Sequence, residues 1–144
     1  MNDFYRNHWI GYFGEAAVHI VLGSDWHLVF DYNDLRLYDH PDGVVNGFNF
    51  DVKTRIKNRE GLSVKNPHYD FYILVHYYDG LYHLIGYATL TRLRIEKPNV
   101  YGNCTLAVRE LSSTDDFISR FRDYEGFTSR YNQFSSRHIL FNIV

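Results

Sequence analysis

Asn46-Gly47 is the feature that most constrains how this chain can fold. It stands between two short strand-forming runs, Val44-Val45 and Phe48-Asn49-Phe50. A two-residue hairpin turn needs φ > 0 at both central positions, and Asn-Gly is the dipeptide that meets this most readily. With Asn46 and Gly47 as the turn, Val45 faces Phe48, Val44 faces Asn49, Gly43 faces Phe50, and Asp42 falls opposite Asp51. Opposed residues project from one face with Cβ atoms about 5 Å apart. Two carboxylates at that separation repel by roughly 3 kcal/mol at an effective dielectric of about 20. A sheet gains nothing from such a pair unless positive charge sits between them. Lys53 lies two residues beyond Asp51 and projects from the same face. The arrangement is that of a divalent-metal site with a lysine beside it.

The second strand continues past the pair. Phe48, Phe50, Val52 and Ile56 alternate with Asn49, Asp51, Lys53, Arg55, Lys57 and Arg59. Strict period-2 alternation marks a half-buried strand, so the first set is expected in the core and the second outside it. Arg55, Lys57 and Arg59 then form a basic ladder leading out of the acidic pair. A solvated strand edge guarded by lysines has this look, as does a track for a phosphate backbone.

Upstream, residues 3–22 are expected to form a helix. Asp3 suits an N-cap, and Ile10, Phe13, Ala17, Ile20 and Val21 recur at helical spacing as one apolar stripe. Gly23 suits the stop. Glu15 is expected nearly opposite the stripe, near His8, Tyr12 and His19, where it is a solvated carboxylate or a third acid for the site. Gly11 and Gly14 lie on the flank beside it. A glycine inside a helix costs up to about 1 kcal/mol relative to alanine, and often marks close approach of another backbone.

Residues 26–38 are expected to form one or two strands, with Asp31 and Asp34 as turn residues and Asp39 as a rival to Asp42. Residues 60–69 are expected to form a loop. Asp70–Tyr78 and Leu81–Thr89 should pair around a second two-residue turn, Asp79-Gly80, placing His76 opposite His83. That pair lacks a third ligand and is expected to be structural or on the surface. Residues 90–110 should add another strand or two. Thr114-Asp115-Asp116 starts a helix, with a capping hydroxyl and two acids in its first turn. It has Phe117, Ile118 and Phe121 on its buried side and an end near Gly126. In the tail, Arg120, Arg122, Arg130 and Arg137 stand among Phe127, Tyr131 and Phe134. This is a pattern that holds nucleic acid by charge and stacking and that also suits an ordinary amphipathic terminus.

A length of 144 residues suits one domain with a substantial core. No apolar run is long enough to span a bilayer, and no basic region followed by an apolar core opens the chain. One cysteine, Cys104, excludes an internal disulfide, a cysteine zinc site and an iron–sulfur cluster, and fits a reducing, cytoplasmic setting. A net charge of −2 does not by itself advertise nucleic acid.

Pro41-Asp42, eight intervening residues, and Asp51-Val52-Lys53 together resemble the PD-(D/E)xK nuclease superfamily. Gly11-Tyr12-Phe13-Gly14-Glu15 on the first helix looks like that superfamily's N-terminal acidic position. The resemblance spans roughly residues 3–90 and implies a restriction-endonuclease-like α/β fold: a central mixed β-sheet flanked by α-helices. It also implies that Asp42, Asp51, Glu15 and the Val52 carbonyl hold one or two Mg²⁺ ions, with Mn²⁺ able to substitute. Lys53 would serve as the catalytic lysine, leaving a 5′-phosphate and a 3′-hydroxyl. The expected partner is DNA, contacted through Arg55, Lys57 and Arg59 by a homodimer. The expected activity is structure-selective cleavage, as in a junction resolvase or a repair or phage enzyme. A compact restriction endonuclease is the nearest alternative, and a non-catalytic nucleic-acid-binding protein on the same fold is another.

Overall fold

The computed structural model describes residues 3–24, 41–57, 59–125 and 141–143. The expectations for 26–38, for Asp31, Asp34 and Asp39, and for Arg130, Arg137, Phe127, Tyr131 and Phe134 lie outside these residues. Helix α1 runs over Asp3–Leu22, and Gly23 ends it with φ 72°. The hairpin strands are β1 (Gly43–Val45) and β2 (Phe48–Arg55). Asn46 and Gly47 both have positive φ, and the register is the expected one: Val45 faces Phe48, Val44 faces Asn49, and Gly43 faces Phe50. β4 (Phe71–Tyr78) and β5 (Leu81–Thr89) form the second hairpin, with Asp79 and Gly80 also at positive φ and His76 opposite His83.

The described strands form a five-stranded sheet in the order β1-β2-β4-β5-β7, where β7 is Phe141–Ile143. β2 pairs parallel to β4 and β5 parallel to β7, while the two hairpins are antiparallel, so the sheet is mixed. A parallel pair needs a crossover. Between β2 and β4 that crossover contains a strand, β3 (Leu62–Lys65), where a loop was expected. Leu62 and Val64 alternate inward there, and their pairing partner is distant: β6 (Asn103–Leu106). Residues 90–110 supply that single strand, together with helix α2 (Leu90–Ile95), which the Thr89 hydroxyl caps by accepting from the Arg92 amide.

The two sheet faces bury different cores. Ile10, Val18 and Val21 of α1 pack with Phe50, Val52, Phe71, Ile73 and Leu84 on one face. Phe117 and Phe121 of α3 (Thr114–Phe121) join them. Leu62, Val64, Tyr72, Leu74, Leu93 and Leu106 form the core on the other. Ser113, rather than Thr114, caps α3, and the Thr114 hydroxyl instead donates to the Leu84 carbonyl. α3 stops at Phe121, short of Gly126, and β7 shows that the tail contributes to the sheet.

Two details of α1 differ from expectation. Phe13 is 36% exposed, because the helix faces β2 through the row that holds Gly14, Val18 and Val21. Only Gly14 marks a close approach. A Cβ there would stand 2.2 Å from Thr54 Oγ1 and 3.2 Å from Thr54 Cβ, whereas a Cβ at Gly11 would meet nothing within 4 Å. Gly11→Ala is therefore expected to stabilise the fold by up to about 1 kcal/mol. Gly14→Ala is expected to destabilise it by about 1–3 kcal/mol, because the overlap outweighs the gain in propensity. Urea denaturation of the two variants checks this, and equal shifts in one direction would refute the packing given for α1 on β2.

Candidate metal centre

The site is built at the open edge of β2. By the hairpin register, Val52 would pair with Pro41, but proline has no N–H and cannot extend the ladder. β1 accordingly begins at Gly43. The N–H and C=O of one strand residue point to the same side, so Val52 presents both groups to the gap. The Asp42 carboxylate takes the N–H: Val52 N donates to Asp42 Oδ2 at 2.6 Å. The Val52 carbonyl has no proline donor to pair with and faces the same gap.

Asp42 is held from behind by His19. The buried imidazole donates from Nε2 to the Asp42 carbonyl at 2.9 Å, so Nδ1 is left to accept from the Ser24 hydroxyl at 2.6 Å. The ring also packs on Phe50 with centroids 5.4 Å apart. Gly43 is required by this crowding, since a Cβ there would lie 2.4 Å from His19 Cε1 and 2.5 Å from Phe50 Cζ. His19 was not singled out as a site residue. Its spacing of one helical turn from Glu15 was the available signal, but its partner is a main-chain carbonyl that no side-chain pattern reveals.

The expected acids come together. Asp42 lies close enough to both Glu15 and Asp51 for the three carboxyls to shift one another's proton affinity. Lys53 Nζ lies 2.7 Å from Asp51 Oδ2. Burial is the main reason that the Asp42 carboxyl is pushed up to about 10, helped by the hydrogen bond to Asp51 and by the charges of Glu15 and Asp51. Burial likewise pushes Glu15 up to about 7, with the charge of Asp51 adding to it. Hydrogen bonding to Asp42 and the charge of Lys53 pull Glu15 the other way. The Tyr12 phenol, one turn from Glu15, is raised by burial and by the Glu15 charge. Among the described residues no three His, Cys, Asp or Glu side chains already converge as a metal cage. Glu15, Asp42 and Asp51 instead form a chain of contacts that Lys53 ends. Hard carboxylate oxygens beside the Val52 carbonyl suit Mg²⁺ or Mn²⁺ rather than a soft ion, so the donor set fits the ion that the resemblance implies.

The basic ladder is shorter than expected. Arg55 is the last residue of β2, while Lys57 and Arg59 lie beyond the strand end. Arg55 borders a cavity of about 240 Å³ with Asn7, Gly11 and Thr54. Lys57 and Arg59 line a separate cleft of about 550 Å³ with Tyr78 and Asp79. Ile56, expected in the core, is 46% exposed, and Phe48 is 45% exposed at the turn. His76 and His83 are buried rather than on the surface, with His76 Nε2 donating to the Glu60 carbonyl at 2.6 Å.

Comparison with family models, curated proteins and solved structures finds no match to this chain. No described helix is long and apolar enough to cross a membrane.

The acid cluster sets a sign for pH dependence. A carboxyl whose pKa is higher in the fold than in the unfolded chain keeps a proton that the unfolded chain has released, so stability falls as pH rises. The window opens near the ordinary carboxylate value of about 4. It closes near 7 for Glu15 and near 10 for Asp42. Asn at position 42 keeps an oxygen for the Val52 amide and removes the charge. Asp42→Asn is therefore expected to exceed the wild type in metal-free stability by about 0.5–2 kcal/mol at pH 8, and by little at pH 4. Thermal melts in EDTA across that range check it. An Asp42→Asn protein less stable than the wild type at pH 8 would show that the buried Asp42 carboxyl is not a net cost to the fold.

Proposed function

We propose that this chain is a Mg²⁺-dependent DNA endonuclease of the PD-(D/E)xK type on a restriction-endonuclease-like fold. The observation that carries this reading is the contact chain from Glu15 through Asp42 and Asp51 to Lys53. Two elements far apart in sequence, α1 and the β1–β2 hairpin, bring these four side chains to one sheet edge. The α/β architecture with a mixed sheet and flanking helices supports it further.

In this reading Asp42, Asp51, Glu15 and the Val52 carbonyl hold the cation. When bound, the ion polarises the scissile phosphate and lowers the pKa of a coordinated water. The chain's own groups do the remaining work. His19 and the Val52 amide fix Asp42 from both sides. Lys53, held at Asp51, orients the attacking water and offsets negative charge developing on the phosphate. Arg55, and Lys57 and Arg59 in their cleft, supply positive charge for the backbone of DNA. Cleavage is structure-selective, as for a junction resolvase or a repair or phage-type nuclease, and a homodimer acting inside the cell cuts both strands.

Wild-type protein is expected to cleave DNA with Mg²⁺ or Mn²⁺ and to stop on addition of EDTA. Asp51→Ala and Lys53→Ala are each expected to lower the rate by at least about a hundredfold, with DNA binding retained. A panel of labelled single-stranded, duplex, flap, four-way-junction and RNA substrates measures this. Wild-type rates in Asp42→Ala and Asp51→Ala would refute the assignment.

A further inference from the structure

The turn between α2 and β6 presents two large apolar side chains to solvent: Val100 is 92% exposed and Tyr101 74%. Exposed apolar residues at a loop tip are unremarkable when the loop is loose, but this one is braced. Asn99 Oδ1 accepts from the amides of Tyr101 at 2.9 Å and Asn103 at 3.0 Å. Gly102 N donates to Asn99 O at 2.9 Å, and Asn66 N donates to Gly102 O at 3.1 Å, which ties the turn to the end of β3. Gly102 has φ 80°, and a Cβ there would stand 2.9 Å from Asn66 Oδ1. The polar residues and the main chain therefore build the turn, while the exposed Val100 and Tyr101 side chains make none of these bonds.

Three cations flank the turn in sequence or in register. Lys65, Arg94 and Lys97 are exposed and form no ion pair among the described residues. Lys65 pairs in register with Asn103, and Lys97 precedes the turn by two residues. Glu96, the acid next to Lys97, is already taken by Arg92 at 2.6 Å. The turn also belongs to the sheet face that carries Asp51. Asp51 faces Tyr72 in register, and the Tyr72 hydroxyl accepts from the amides of His68 and Tyr69, which follow Asn66.

We propose that Tyr101 and Val100 form a base-contacting tip for single-stranded or unpaired DNA. Tyr101 stacks on an exposed base, Val100 packs beside it, and Lys65, Arg94 and Lys97 hold the flanking phosphates. This deepens the nuclease reading and rests on it for the identity of the partner. An apolar tip with Lys65 close in register and Lys97 close in sequence matches the two parts of an unpaired nucleotide, a π-face and a phosphate. In paired duplex the bases are stacked and offer the tip no face, so its contribution is specific to opened DNA.

The test uses full-length protein in EDTA, with a single-stranded oligonucleotide carrying 2-aminopurine and a blunt duplex of the same sequence. The double variant Val100→Ser, Tyr101→Ser is expected to bind the single strand about tenfold or more weakly. It should lose the wild-type change in 2-aminopurine fluorescence, keep its melting temperature, and bind duplex nearly as the wild type does. Tyr101→Phe should restore the single-strand affinity. Unchanged single-strand affinity in the double variant, or an equal loss for duplex and single strand, overturns the proposal and leaves the tip as a surface for some other partner. Failure of the nuclease reading looks different: wild-type protein binds and perturbs the probe but never cleaves when Mg²⁺ is added.

Discussion

The left-handed pair Asn46 and Gly47 fixes which residues of β1 and β2 meet, and the acidic site follows from that register. A slip of one residue would carry Asp51 to the face held by Phe50 and Val52, and would carry those two out of the core. The buried phenylalanine therefore guards the register as firmly as the turn sets it. Asn46 also donates from its side chain to the Phe121 carbonyl at 3.0 Å, so the turn is anchored to α3 as well. Pro41 then ends the ladder at the point where continued pairing would have covered the Val52 carbonyl. Turn, core phenylalanine and proline together produce an open strand edge with a carboxylate folded into it.

Such an edge carries stored electrostatic cost. Asp42 is pushed up mainly because it is buried, and its neighbours Asp51 and Glu15 add to the effect. Protons and Lys53 balance part of the charge in the metal-free state. A cation held by the same oxygens would replace those protons and remove the repulsion, so folding stability and ion affinity are linked. His19 matters because it holds Asp42 through its main-chain carbonyl, leaving the carboxylate for the Val52 amide and the other acids.

Local signals made much of this legible in the sequence. The apolar spacing and Gly23 mark α1, and two positive-φ dipeptides mark both hairpins and their registers. The opposed pair Asp42 and Asp51, with Lys53 beside them, follows from counting outward from one turn. What stayed hidden depends on partners distant in the chain. β3 is four residues long and exists because β6 covers it, about 40 positions away. The parallel pairing of β2 with β4 is fixed by the crossover rather than by either strand. The apolar spacing points Phe13 inward, but the helix turns its Gly14 row toward Thr54, a contact no helical pattern contains. Alternation continues in the sequence past Arg55, where the strand stops, so the basic ladder it implies is longer than the one the strand forms.

The decisive property of the β2 edge is whether its acids take up a divalent cation at the expense of their protons. Calorimetric titration of Mn²⁺ at pH 7, in two buffers that differ in ionisation enthalpy, measures both events at once. Binding that releases protons in the wild type, and that is lost in Asp51→Asn, is the predicted result. Absence of binding, or binding that leaves the proton count unchanged and survives Asp51→Asn, would contradict it.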